Sequence, residues 1–130
     1  MADYTPVYTG GAKPWTATTS GAVTGGNVLI ASGNGTVAVS TADSAVVVGV
    51  AGCDAASGGK VTVWPLEGCI HELVASGAIT AAGGVNADAS GQVKASGTGI
   101  PTQAAAGALI GTALTTAAGS PLKLRVQGRR

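Results

Sequence analysis

Glycine sets the first limit on this chain. It fills 22 of the 130 positions and interrupts nearly every window in which a helix could start. A glycine inside a helix costs roughly 1 kcal/mol relative to alanine. No window places apolar residues at helical spacing with charged residues opposite. Between the glycines lie short β-branched runs, at 27–31, 36–40, 45–51, 60–64, 69–74, 108–112 and 122–127. Turn signals separate them, among them Asn34-Gly35 within SGNGT, a pair suited to a tight hairpin. In the last run Leu122, Leu124 and Val126 alternate with Lys123, Arg125 and Gln127, which describes one buried and one wet face. The expectation is an all-β domain, a small β-sandwich or β-barrel with Gly-rich turns and little or no helix.

The chain also matches itself. Ser20-Gly-Ala-Val-Thr24 answers Ser76-Gly-Ala-Ile-Thr80, and Gly25-Gly26 answers Gly83-Gly84. Ala31-Ser32-Gly33 is set against Ala89-Ser90-Gly91, and Val37 and Ser40 against Val93 and Ser96. Gly49, Ala51, Ala55 and Ala56 then match Gly111, Ala113, Ala117 and Ala118, and each half closes on an alternating run ending at Val63 or Val126. An Ala/Gly-rich chain matches itself by chance as well. The preserved order and the matched apolar positions favour two copies of one β-unit, residues 20–63 and 76–126, within a single domain spanning 20–130. Residues 1–19 precede the first copy.

Composition narrows the function. Charged residues make up only 10% and the formal net charge is +1. No global field would draw the chain to nucleic acid or to an anionic membrane, so neither is expected as a partner. The longest apolar run, in SAVVVGVAG, falls far short of the ~20 residues of a membrane span, and no leader pattern follows MADYTPVY. Phenylalanine is absent, so the core must be built from Val, Ala and a few Leu and Ile. Such a core buries little area per residue. At ~25 cal/mol per Å2 it leaves a thin margin over chain entropy, which favours completing the burial against other subunits. Cys53 and Cys69 lack metal-type spacing and read as reduced structural thiols, with a disulfide between them as the lesser reading.

The search for chemistry returns little. Cys69 and His71 lie two apart on a predicted strand and so share a face, the least that a thiol nucleophile and its base require. The carboxylates Asp3, Asp43, Asp54, Glu67, Glu72 and Asp88 are scattered, without the pairing that acid–base work or a hard cation calls for. DAASGGKV at 54–61 fails as a phosphate loop, because Asp54 stands at the first glycine position, Val61 replaces the hydroxyl and no helix follows. The expectation is a protein with no catalytic site, no metal and no cofactor. Three of the four aromatic residues fall in the Pro-rich first segment, around Tyr4, Pro6, Tyr8, Pro14 and Trp15. Two readings of residues 1–19 stand: an edge strand folded back on its own core, or an arm that lays aromatics on a partner.

Taken together, YTPVYTGGAKPWTATTSGAVTGGNVL, VVGVAGCDAASGGKVTVWPLEGCIHELVASGAITAAGGV and LIGTALTTAAGSPLKLRV resemble the capsid decoration (cement) proteins of tailed bacteriophages, and more narrowly the small DUF2190-type family. The resemblance spans nearly the whole chain. It implies a β-rich virion protein on the outer capsid surface that clamps neighbouring copies of the major capsid protein. It also implies self-association, commonly as a trimer. The expected contact residues are Tyr4, Pro6, Tyr8 and Trp15, with Arg129 and Arg130 from the terminal RVQGRR. A host- or carbohydrate-binding surface module using Trp64 is the competing reading.

Overall fold

In the computed structural model, which describes residues 3–96, 108–119 and 122–128, the chain forms ten strands and one 3-10 turn. The strands are β1 Trp15–Thr19, β2 Val28–Gly33, β3 Thr36–Val39, β4 Val47–Ala51, β5 Lys60–Trp64, β6 Ile70–Val74, β7 Gly84–Ala87, β8 Val93–Ala95, β9 Leu109–Ala113 and β10 Lys123–Gly128. The first five close a barrel in the order β1-β3-β2-β4-β5, with β1 antiparallel to β5 and parallel to β3. The other five form a sheet in the order β6-β10-β9-β7-β8. Its two edges are joined by one parallel bridge, Ala75–Val93.

The two halves share most of their pairings. Thr19 pairs with Val37 in the first, and Ala75 with Val93 in the second. Val23–Ala55 and Ile79–Ala117 are matching antiparallel bridges. Each half carries a β-bulge at the same place, after Leu29 in β2 and after Val85 in β7. Ser40 N–H donates to the Val28 carbonyl as Ser96 N–H does to that of Gly84, both at 2.9 Å. The barrel interiors correspond too. Ala17, Val23, Leu29, Val37, Ala51, Val61 and Val63 fill the first, while Leu73, Ile79, Val85, Val93, Ala113, Leu124 and Val126 fill the equivalent places in the second. Val28, Val47 and Val50 turn outward from the first barrel and join the core of the second, which welds the two units.

Three details differ from the sequence reading. Residues 15–19 are not an arm or an edge: β1 is bonded on both sides, so the first unit begins at Trp15, directly after Pro14, whose missing N–H is harmless just before a strand. The register sets Ala31 opposite Val37 and Ala87 opposite Val93, so Ala31 corresponds to Ala87 rather than to Ala89. Likewise Gly26 N–H bonds the Ala51 carbonyl and Ala82 N–H that of Ala113, so Gly26 corresponds to Ala82 rather than to Gly84.

That last pair has an energetic consequence. Gly26 has φ +92°, and Ala82 is held in the same left-handed region at φ +72°. An L-residue there is strained by roughly 1–2 kcal/mol, part of which glycine returns as unfolded-state entropy. Ala82→Gly is therefore expected to stabilise the fold by about 0.5–1 kcal/mol, read as a higher midpoint in thermal or urea unfolding. An unchanged or lower midpoint would contradict this.

Candidate functional site

Residues 3–14 form a strap across both units. Tyr4 N–H bonds the Gly52 carbonyl of the first barrel at 3.0 Å, and Tyr8 exchanges two backbone bonds with Ile70 of β6. The chain then turns at Gly10 and Gly11, both at positive φ, and enters β1. Along this strap the side chains divide. Pro6 is buried, and Tyr4 packs against the second core. Val7, Tyr8 and Trp15 face outward with 47%, 60% and 46% of their surface exposed, half of the six large exposed apolar residues described. Of the residues expected to meet a partner, Tyr8 and Trp15 are thus on the surface. Tyr4 and Pro6 are drawn inward by contacts with their own chain, and Val7 was missed because a lone valine among prolines gives no signal. Arg129 and Arg130 lie outside the described residues.

Tyr4 ends on His71. The rings stack with centroids 5.8 Å apart, and the phenol oxygen is 2.6 Å from His71 Nδ1. The other ring nitrogen, Nε2, is 2.8 Å from the Pro65 carbonyl. A carbonyl only accepts, so Nε2 carries the proton and Nδ1 accepts from the Tyr4 hydroxyl. The same phenol oxygen accepts the Glu72 N–H at 3.2 Å. His71 is fully buried, and burial pushes its pKa below the ordinary value. Burial pushes the Tyr4 phenol well above its own.

The Cys69–His71 arrangement is therefore taken up structurally. Cys69 is buried, its thiol is raised by desolvation, and its S–H points to the Thr9 carbonyl at 3.6 Å. A nucleophilic thiol needs the opposite, an accessible sulfur and a lowered pKa. Cys53 and Cys69 are both free thiols. The 54–61 stretch is the β4–β5 turn. Its Gly58 and Gly59 N–H groups are spent on the Thr19 and Ala56 carbonyls, and the Asp54 carboxylate accepts from Gly25 N–H at 2.9 Å. Trp64 is half-buried, with its indole close to Gly52, where a Cβ would stand 3.0 Å from Nε1. Among the described residues no group of His, Cys, Asp and Glu is placed to hold a metal ion.

Among the described residues, pockets lie at two places that bear on the fold. One of about 280 Å3 lies between the units beneath Tyr4, with the Thr24–Asn27 turn on one wall and Glu72, Val74 and Lys123 on the other. Its charges are partly satisfied internally, since Lys123 Nζ lies 3.8 Å from Glu72 Oε1. A second, of about 220 Å3, opens at one end of the second unit.

No family model matches the chain, the DUF2190-type family included, and no curated protein matches it. A solved structure does. The N base of the head fiber gp8.5 of bacteriophage phi29 has the same fold, with a TM-score of 0.68 at 16% identity, over 90% of this chain and 93% of that one. At that identity the likeness is one of fold.

Proposed function

We propose that this chain is a structural protein of a bacteriophage virion, carried on the outer surface of the capsid, where it clamps neighbouring copies of the major capsid protein and strengthens the shell. The observation that carries the reading is the nearly end-to-end fold likeness to the base of a phage head fiber. Two further observations support it. Val7 and Tyr8 of the strap and Trp15 at the start of β1 are exposed, and Tyr and Trp are the residue types that most often anchor protein partners. The reactive residue types, Cys69 and His71, are consumed in packing, which favours a protein that is not an enzyme. Each copy adds modest contact area, and a lattice multiplies it through many copies.

The test is cosedimentation of the purified protein with expanded, undecorated capsids. Saturable binding in a fixed ratio to capsid protein, with raised shell stability, is the expected result. Tyr8→Ala combined with Trp15→Ala is expected to weaken occupancy at least about tenfold while leaving the melting temperature nearly unchanged, as loss of exposed aromatic anchors does. Absence of binding to any capsid form would overturn the proposal. Glycan binding by the free protein would replace it with the carbohydrate reading.

A further inference from the structure

The two units are alike, but one end of each is treated differently. The end of the first unit is plugged by the β7–β8 connection of the second. There Ser40 Oγ donates to the Asp88 carbonyl at 2.6 Å. Gly91, at φ +75°, is seated so closely on Asn27 that a Cβ would stand 2.6 Å from that residue's own Cβ. Among the described residues the equivalent end of the second unit is left as the 220 Å3 pocket, lined by Ile79, Thr80, Gly83, Gly84, Ala95 and Ser96. These are the counterparts of Val23, Thr24, Asn27, Val28, Val39 and Ser40. Ser96 is buried like Ser40, yet among the described residues its hydroxyl has no hydrogen bond corresponding to the Ser40–Asp88 one.

The plug has a counterpart as well. The β2–β3 connection joins Ala31 to Val37 over the same number of residues that join Ala87 to Val93. It is pinned in the same way: Ser20 Oγ bonds Ser32 Oγ at 2.7 Å, as Ser76 Oγ bonds the Asp88 carboxylate. Gly35 has φ +73°, matching Gly91. The difference is that none of the described residues sits on it. Residues 31–35 are all exposed, and a Cβ at Gly35 would meet no atom within 4 Å.

We infer that the β2–β3 turn of one copy enters the open end of the second unit of another, repeating between chains the contact that already joins the two units within one. The occupant is a second copy because only this chain is shown to carry the matching turn, and because the intramolecular contact supplies its geometry: small residues at the tip and a carbonyl, that of Ser32, for the Ser96 hydroxyl. Such a contact is heterologous. It joins unlike surfaces, so it builds a ring if the rotation closes and a filament if it does not. The inference does not rest on the capsid reading.

The experiment is solution mass by analytical ultracentrifugation across a concentration series, using the full chain. Ala95→Arg fills the pocket from its exposed lip, and Asn34→Arg enlarges the exposed turn. Each alone is expected to weaken self-association at least tenfold, with an unchanged melting temperature in dilute solution. Mixing the two variants is the deciding arm. The intact turn of the Ala95→Arg chain still fits the intact pocket of the Asn34→Arg chain, so mixed dimers form and growth stops there. A wild-type chain that stays monomeric at its highest soluble concentration overturns the inference. So does a mixture that fails to recover dimers, which would indicate a self-complementary face. Loss of association in Ala95→Arg alone would assign the pocket another occupant and overturn the turn as its plug.

Discussion

Gly111→Ala is expected to cost about 3 kcal/mol or more, among the largest effects of a single added methyl group in this chain. β9 and β10 run so close that a Cβ on Gly111 would stand 2.4 Å from the Gln127 carbonyl oxygen and 2.7 Å from Val126 Cγ1. Neither neighbour can give way easily. The first is backbone in a paired strand, and the second fills the barrel interior. The first unit makes the same demand at Gly49, where a Cβ would lie 2.3 Å from the Trp64 carbonyl and 2.7 Å from Val63 Cγ1. For a domain of this size the cost corresponds to a fall in melting temperature on the order of 10 °C. Gly119→Ala is the control, because a Cβ there meets nothing within 4 Å. If Gly111→Ala melts within a degree or two of Gly119→Ala, the close approach of β9 to β10 is not a constraint on the fold.

These glycines also mark what the sequence could and could not say. Their pairing by letter, Gly49 with Gly111, coincides with their geometry, because a glycine forced by a close approach leaves no alternative residue. Gly26 and Ala82 show the reverse. The sequence sets Gly25-Gly26 against Gly83-Gly84, yet the left-handed position in the second unit is held by an alanine, which carries no signal for positive φ. The seven β-branched runs all became strands, and in β5, β6 and β10 the burial alternates along the strand as well. β7 was not legible from Gly84-Val85-Asn86-Ala87, whose glycine and asparagine are poor strand formers, and β8 has three residues. Barrel closure depends on the parallel pairing of β1 with β3, a long-range contact that no local pattern announces.

The same division runs through the candidate surface. The concentration of aromatics before residue 16 was visible, and it falls on the strap and on the first residue of β1. Which of them face water was not, because alternation cannot be read through Pro6, Gly10, Gly11 and Pro14. Tyr8 and Trp15 are exposed, and Tyr4 and Pro6 are not. His71 was singled out for its neighbour Cys69, two residues away. Its actual partners are Tyr4 and the Pro65 carbonyl, and the first of these lies 67 positions away in the chain.

That partnership makes Tyr4→Phe the second large effect. The ring and its stacking survive, and only the hydroxyl is lost. What remains is a buried Nδ1 without a donor and a Glu72 N–H without its acceptor. One unsatisfied buried group costs about 1–3 kcal/mol. Two sharing a half-buried site are expected to cost about 2–3 kcal/mol together, with the strap loosened from the second unit. The pH dependence gives a second, independent reading. His71 has a folded pKa below its unfolded value, so the stability of the neutral, buried form is complete above the unfolded value near 6.5 and is lost as pH falls through the folded one. The wild-type melting temperature is expected to decline from about pH 6.5 downward. Asp43 and Asp88 do not supply this slope. Asp43 is held low by Lys94 and Asn86, and Asp88 by Ser76 and the Ala89 N–H, so both lose their contribution only at more acidic pH. Burial is what holds the His71 pKa down, so the Tyr4→Phe protein is expected to start lower and to decline over the same pH range. A Tyr4→Phe protein with wild-type stability would show that the strap is held by packing alone.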